Sequence, residues 1–264
     1  MITAIDVGGS SVKSGLVGPH GPVGSVRVTP LVHTAPADEL VARLVAAIRV
    51  VSPDGPGADE PLRVAAAVPD PFDHADGVSR MTHKFAALHG RPLAPLLADL
   101  LGTTLDVRWC NDAAAAVAGE ATAGRGRDHR RVLGVTLGTG LGAAFVADGT
   151  LVTEAGGLAV GDLWRTLLPD GRTADTAFCA RSLLATLEAD PEHGGARFGR
   201  SLGATLAPLA DAAGADVVVV GGGGAASFAE IEKALQAAVG VPVVRASLGG
   251  WAALVGAAHL CFPG

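Results

Sequence analysis

Residues 133–151 read LGVTLGTGLGAAFVADGTL, two apolar runs joined by a turn that carries Gly138, Thr139 and Gly140. The pattern predicts a β-hairpin whose turn is bare backbone. With no side chains above them, the N–H groups of this turn can meet an anionic oxygen at close range, and the Thr139 hydroxyl adds a donor at the same place. A structural hairpin whose glycines supply positive φ is the other reading of one such motif. The chain repeats the design, because TAIDVGGSSVKSGLV at 3–17 sets Gly8, Gly9, Ser10 and Ser11 between two further apolar strands. In this first cradle Asp6 closes the strand, where a carboxylate can hold magnesium through water, and Lys13 follows the turn. Both also fit ordinary solvated charges. Two cradles predict two half-structures facing a shared cleft.

A chain of 264 residues is long enough for one large domain or two smaller ones, each with its own core. Its hydrophobic residues make up 49%, with mean hydropathy +0.40, yet they are broken by glycine, proline or charge before a membrane-spanning length is reached. No membrane association is expected. The first strand begins at once and carries Asp6, so no secretion signal is read and a cytoplasmic location is expected. Cys110, Cys179 and Cys261 are odd in number and far apart in sequence, which reads as buried small hydrophobes rather than disulfides or a zinc set. A net charge of −6 opposes nucleic-acid binding; the local run Arg125, Arg127, Arg130 and Arg131 reads as a solvated loop or a contact for a polyanion.

In chain order, a third strand is predicted at 23–30 and a helix at 37–51 with Leu40, Leu44, Val45 and Ile48 on one face, ended by SPDGPG at 52–57. LRVAAAV at 62–68 has the unbroken apolar character of a buried parallel strand, so the fold class is α/β. The polar segment 69–91 has the look of a binding loop rather than a connector. A helix at 92–101 and a short strand at 106–110 lead to Asn111 and Asp112, at a strand's carboxyl end and just before an alanine-rich helix. Ligand crevices of open α/β sheets lie there, so Asp112 can face a ligand; it can equally cap the helix. Further helices are expected at 173–187, 198–213 and 227–239, with strands at 215–220 and 241–246 and a closing helix at 251–260. Gly221, Gly222, Gly223 and Gly224, between a strand and a helix, leave a flat backbone surface for a base or ribose, or else permit close packing.

In this order, DVGGSSVKSG at 6–15, NDAAAAVAGE at 111–120, LGTGLGAAFVADGTL at 137–151, the glycine run at 221–224 and LGGWAALVGAA at 248–258 resemble the ROK family of sugar kinases. The resemblance covers nearly the whole chain. It implies a two-lobed, actin-like (ribonuclease-H-like) ATPase fold with a cleft between lobes. The expected lobes are 1–110, completed by the returning segment 246–264, and 111–245. It also implies ATP with magnesium as phosphate donor, a hexose or hexose derivative as acceptor, and Asp112 as general base, with Asn111 beside it on the sugar. A homodimer is the expected assembly. The family's Glu-x-Gly-His motif and cysteine-rich zinc loop are replaced here by Asp162-Leu163-Trp164-Arg165 and PDGRTADTAFCARSL, so no zinc is expected. Sugar contacts are then expected from His83 and Lys84 on one segment and Asp162, Arg165 and Asp175 on the other. With no helix-turn-helix read before Met1, the DNA-binding branch of the family is not expected. Likeness to polyphosphate glucokinases makes polyphosphate an alternative donor, and a non-catalytic sugar or nucleotide binder is the reading from outside enzymology.

Overall fold

A computed structural model describes residues 1–52, 60–155 and 157–263. The chain divides into two compact units, Met1–Ala115 with Gly250–Gly264, and Ala116–Gly249. Most of the stop expected at 52–57 lies outside the described residues.

The first unit opens with a meander of β1 (Ile2–Val7), β2 (Ser11–Gly18) and β3 (Gly21–Pro30), followed by α1 (Ala37–Arg49) and β4 (Leu62–Val68). A small pair, β5 (Phe72–Asp73) and β6 (Val78–Ser79), interrupts the polar segment before α2 (Leu93–Leu101) and β7 (Leu105–Asn111). The sheet order is β3-β2-β1-β4-β7, with β4 parallel to both β1 and β7. Only Arg63 of β4 reaches solvent, which accounts for its unbroken apolar run at the middle of a covered sheet. Helix α1 buries Leu40, Val41, Leu44, Val45, Ala47 and Ile48, the stripe its periodicity forecasts. Gly102 closes α2 in the left-handed region at φ 70°, where a side chain would be strained. The C-terminal helix, Ala252–Cys261, packs on β1 and β4, and Gly15 exists to admit it, since a Cβ there would stand 2.5 Å from the Trp251 ring.

Helix α3 (Asp112–Ala123) begins in the first unit and ends in the second. The second unit continues with a meander of β8 (Arg131–Leu137), β9 (Leu141–Ala147) and β10 (Thr150–Val152), then the short pair β11 (Glu154–Ala155) and β12 (Leu158–Ala159) and a 3-10 turn, Val160–Arg165. After it come α4 (Ala174–Ala177), α5 (Ala180–Ala189), α6 (Gly194–Ala213), β13 (Val217–Gly221), α7 (Phe228–Val239) and β14 (Val243–Arg245); the C-terminal helix is α8. The sheet order is β10-β9-β8-β13-β14, the same meander-then-parallel plan as the first. The two glycine turns therefore occupy equivalent places, each joining the first two strands of its sheet.

Two expectations are corrected. The single helix at 173–187 is two, because the chain breaks at Phe178 and Cys179, where the Ala180 N–H donates to the Gly138 carbonyl at 2.9 Å and the Cys179 sulfur caps α5. Helix α6 starts at Gly194, not at 198. Glycine's poor helix propensity hides that first turn from a sequence reading. The cause is packing: Cβ atoms at Gly195 and Gly199 would stand 2.5 Å from the carbonyl oxygens of Glu230 and Ile231 on α7. Among the described residues no helix is long and apolar enough to cross a membrane.

Candidate functional site

In the first unit, the parallel register sets Asp6 beside Ala67 and Ala67 beside Cys110, with Val68 beside Asn111. The carboxyl ends of β1, β4 and β7 thus bring Asp6, Asp70, Asn111 and Asp112 to one end of one sheet. Asn111 caps α3: its Oδ1 accepts the Ala114 N–H at 2.9 Å. The cap is therefore Asn111, and the alternative structural duty for Asp112 is already filled. Asp112 is the first residue of the helix, and its Oδ1 accepts the adjacent Ala113 N–H at 2.8 Å. Burial pushes its carboxyl up to about 6, the Asp6 carboxylate and then that of Asp70 add to the rise, and the Ala113 hydrogen bond and Lys84 oppose it. Such a group changes protonation near neutral pH, as a proton acceptor in catalysis must.

Asp6 and Lys13 face each other across the β1–β2 ladder and form an ion pair at 2.8 Å through Oδ2. In the turn between them the Gly8 N–H donates to the Ser11 carbonyl and the Ser10 carbonyl accepts from Leu31. Gly9 stands out because its φ is not positive and a Cβ there would meet nothing nearer than His33 Cδ2 at 3.9 Å. The fold gives no reason for glycine at 9.

The second unit's turn behaves alike. Gly138 has neither positive φ nor a crowded Cβ position, the nearest atom being the Gly140 carbonyl oxygen at 3.8 Å. Positive φ is thus not what these turn glycines supply. Gly140 has a different reason: the Asp175 carboxylate lies where its Cβ would be, and Asp175 Oδ1 accepts the Leu141 N–H at 2.9 Å. Asp175 is thereby tied to the second glycine turn. In the 221–224 run, Gly222 takes φ 78° and both it and Gly224 press against Leu137, whereas Gly223 is open. Packing explains two of the four glycines and leaves Gly223 as free backbone.

Of the other expected acceptor contacts, His83 is exposed and Lys84 is partly buried in the first unit. Lys84 precedes Phe85, a buried residue held at φ 51° by the Phe85 N–H to His33 carbonyl bond and by edge contact with the His33 ring. Asp162 and Arg165 sit in the second unit on the 3-10 turn, paired at 3.7 Å, with the Arg165 guanidinium over the exposed Trp164 ring. Cys110 and Cys261 are neighbours: the hydrogen bond with Cys261 first, and burial second, push the Cys110 thiol up. Their remoteness holds in sequence only. Among the described residues no group of three or more His, Cys, Asp or Glu side chains is arranged to hold a metal ion.

Sequence reasoning missed Asp70 and Glu120. Asp70 Oδ2 accepts from Asn111 Nδ2 at 2.7 Å, a pairing visible only once β4 and β7 are known to be neighbours. Glu120, 2% exposed, accepts the backbone N–H groups of Arg125, Ser247 and Leu248 in the second unit, fixing the 247–248 turn against α3. Its place in NDAAAAVAGE was the available signal.

Two sheets share one topology, each with a glycine turn between its first two strands, and the first is followed by a partly buried aspartate whose carboxyl is raised to about 6. The ROK family model matches residues 2–168, and the chain belongs to that family. A glucokinase of Thermotoga maritima is 33% identical over 158 residues, 60% of this chain; the match takes in about half, 48%, of that relative's length. Among solved structures, a ROK family glucokinase from Streptomyces griseus in complex with glucose and AMPPNP superposes with TM-score 0.79 at 24% identity, covering 100% of this chain and 99% of the other. An inorganic polyphosphate/ATP-glucomannokinase from Arthrobacter sp. strain KM gives TM-score 0.72 at 29% identity, covering 97% and 96%.

Proposed function

We propose that this chain is an ATP-dependent hexose kinase in which Asp112 takes the proton from the attacking sugar hydroxyl. The observation that carries the reading is the state of Asp112: its capping duty is filled by Asn111, and burial with neighbouring carboxylates raises it to about 6. The glucokinase relative, the glucose and AMPPNP held by the S. griseus protein, and the family membership support the same donor and acceptor class. The Asp6 carboxylate fits magnesium met through water, since Lys13 engages one of its oxygens, Oδ2, and leaves the other. When bound, that ion neutralises charge on the transferring phosphates. The protein's share is positioning and electrostatics: the side-chain-free backbone at Gly9 lets phosphate oxygens approach closely, and Asp112 accepts a proton as the hydroxyl oxygen bonds to phosphorus.

Polyphosphate is the second reading for the donor, favoured by the likeness to the glucomannokinase. Against it, Arg127 pairs with Asp128, Arg130 with Asp148, and Arg131 donates to the carbonyls of Ala213 and Gly214, so three of the four arginines of the basic run are already engaged. Initial rates over a panel of glucose, mannose, galactose and fructose, with ATP and with polyphosphate at equal transferable phosphate, test both. Turnover with ATP is expected. Sugar and nucleotide binding by calorimetry with no transfer from either donor would instead make the protein a non-catalytic binder.

A further inference from the structure

Asp70 bonds Asn111 and acts electrostatically on Asp112, yet the proposed reaction gives it no role of its own. Strands β4 and β7 are parallel with Val68 beside Asn111, so the chain leaving β4 through Pro69 and Asp70 runs next to the chain leaving β7 through Asn111 and Asp112. Asn111 is held from both ends of its amide: Oδ1 is committed to the Ala114 N–H and Nδ2 donates to Asp70 Oδ2 at 2.7 Å. The other carboxylate oxygen, Oδ1, accepts the Phe72 N–H at 3.2 Å and stands 3.7 Å from His74 Nε2. His74 does not neutralise it, because burial holds the imidazole below its ordinary value more strongly than Asp70 and Asp73 lift it. The Asp70 side chain is nonetheless 54% exposed. It is an oriented carboxylate with lone pairs to spare, at the end of the sheet where Asp112 lies.

On the kinase reading above, we infer that Asp70 is a specificity-determining residue, accepting a second hydroxyl of the sugar whose reacting hydroxyl Asp112 deprotonates. The Asn111 amide is turned toward Asp70, so at this point the sugar meets an acceptor rather than a donor. An ionised carboxylate only accepts hydrogen bonds, so it selects for a hydroxyl in the right direction and against its absence. Holding Asn111 in place is a positioning role that comes with the same geometry, and the two roles separate experimentally.

The test compares wild type with Asp70→Asn and Asp70→Gly, each checked for an unchanged thermal midpoint, using ATP and magnesium with D-glucose and its monodeoxy analogues. Loss of a hydrogen bond to a charged group predicts a KM for glucose raised about tenfold or more in Asp70→Asn, with the change in KM rather than in kcat. One deoxy analogue, lacking the hydroxyl that Asp70 receives, should show the same KM with wild type and variant. If instead every analogue is affected by the same factor as glucose, or kcat falls with KM unmoved, Asp70 acts only through Asn111 and Asp112 and the inference is overturned. A wild-type protein that phosphorylates none of glucose, mannose, galactose or fructose rejects the kinase reading itself, and this inference with it.

Discussion

Asp112 holds a charge that its surroundings disfavour, and two consequences follow at the scale of this one residue. The first concerns rate. With its carboxyl raised to about 6, Asp112 is protonated below that pH, so on its proposed role as proton acceptor kcat/KM should fall by about tenfold per unit on the acid side and level off above neutrality. A pH profile that is flat down to pH 5 would contradict this. The second concerns stability. A carboxyl whose folded pKa lies above its unfolded one binds protons more tightly when folded, so ionising it at neutral pH costs stability. That cost disappears once both states are protonated, below about pH 4. Asp112→Asn keeps an oxygen for the Ala113 N–H and removes the charge. It should therefore raise unfolding stability by about 1–3 kcal/mol at pH 7, a gain that shrinks as pH falls from about 6 to 4. Urea unfolding of both proteins at the two pH values measures it.

The glycine turns and the helices around them carry the next level of the account. Gly140 and Asp175 form one unit, since the carboxylate occupies the space of the missing Cβ and holds the Leu141 N–H. Gly140→Ala should destabilise the protein by about 1–3 kcal/mol through overpacking, and much less in an Asp175→Ala background where the obstructing carboxylate is gone. A double-mutant cycle with purely additive effects would show the two residues to be independent. This pair also marks where the sequence stopped being legible. The hairpin at 131–147, the buried strand β4 and the amphipathic α1 follow from local periodicity and were readable residue by residue. What periodicity does not carry is which strand lies beside which. That Asp70 meets Asn111, that Asp175 returns to the 138–141 turn, and that Cys110 and Cys261 are neighbours are all long-range facts fixed by topology. The early start of α6 was hidden for another reason: its glycines weaken the local helical signal in exchange for close contact with α7.

At the scale of the molecule, two five-stranded sheets share one strand order, and each places a glycine turn at the same topological position. The repeated turn was visible in the sequence as GGSS and GTG, which is why two half-structures could be expected, while the α/β class was read from the apolar strand at 62–68 that follows a strand and a helix. The chemistry is not repeated. Asp112 follows the last strand of the first sheet, whereas the last strand of the second, β14, is followed by the 247–248 turn that Glu120 anchors. One plan serves both sheets, and on the proposed function only the first carries the proton acceptor. The most direct test of that claim is the turnover of Asp112→Asn with saturating ATP, magnesium and hexose, beside wild type. The variant should lose about two to four powers of ten in kcat while remaining folded and at least as stable; a folded Asp112→Asn protein with near-normal kcat would contradict the account.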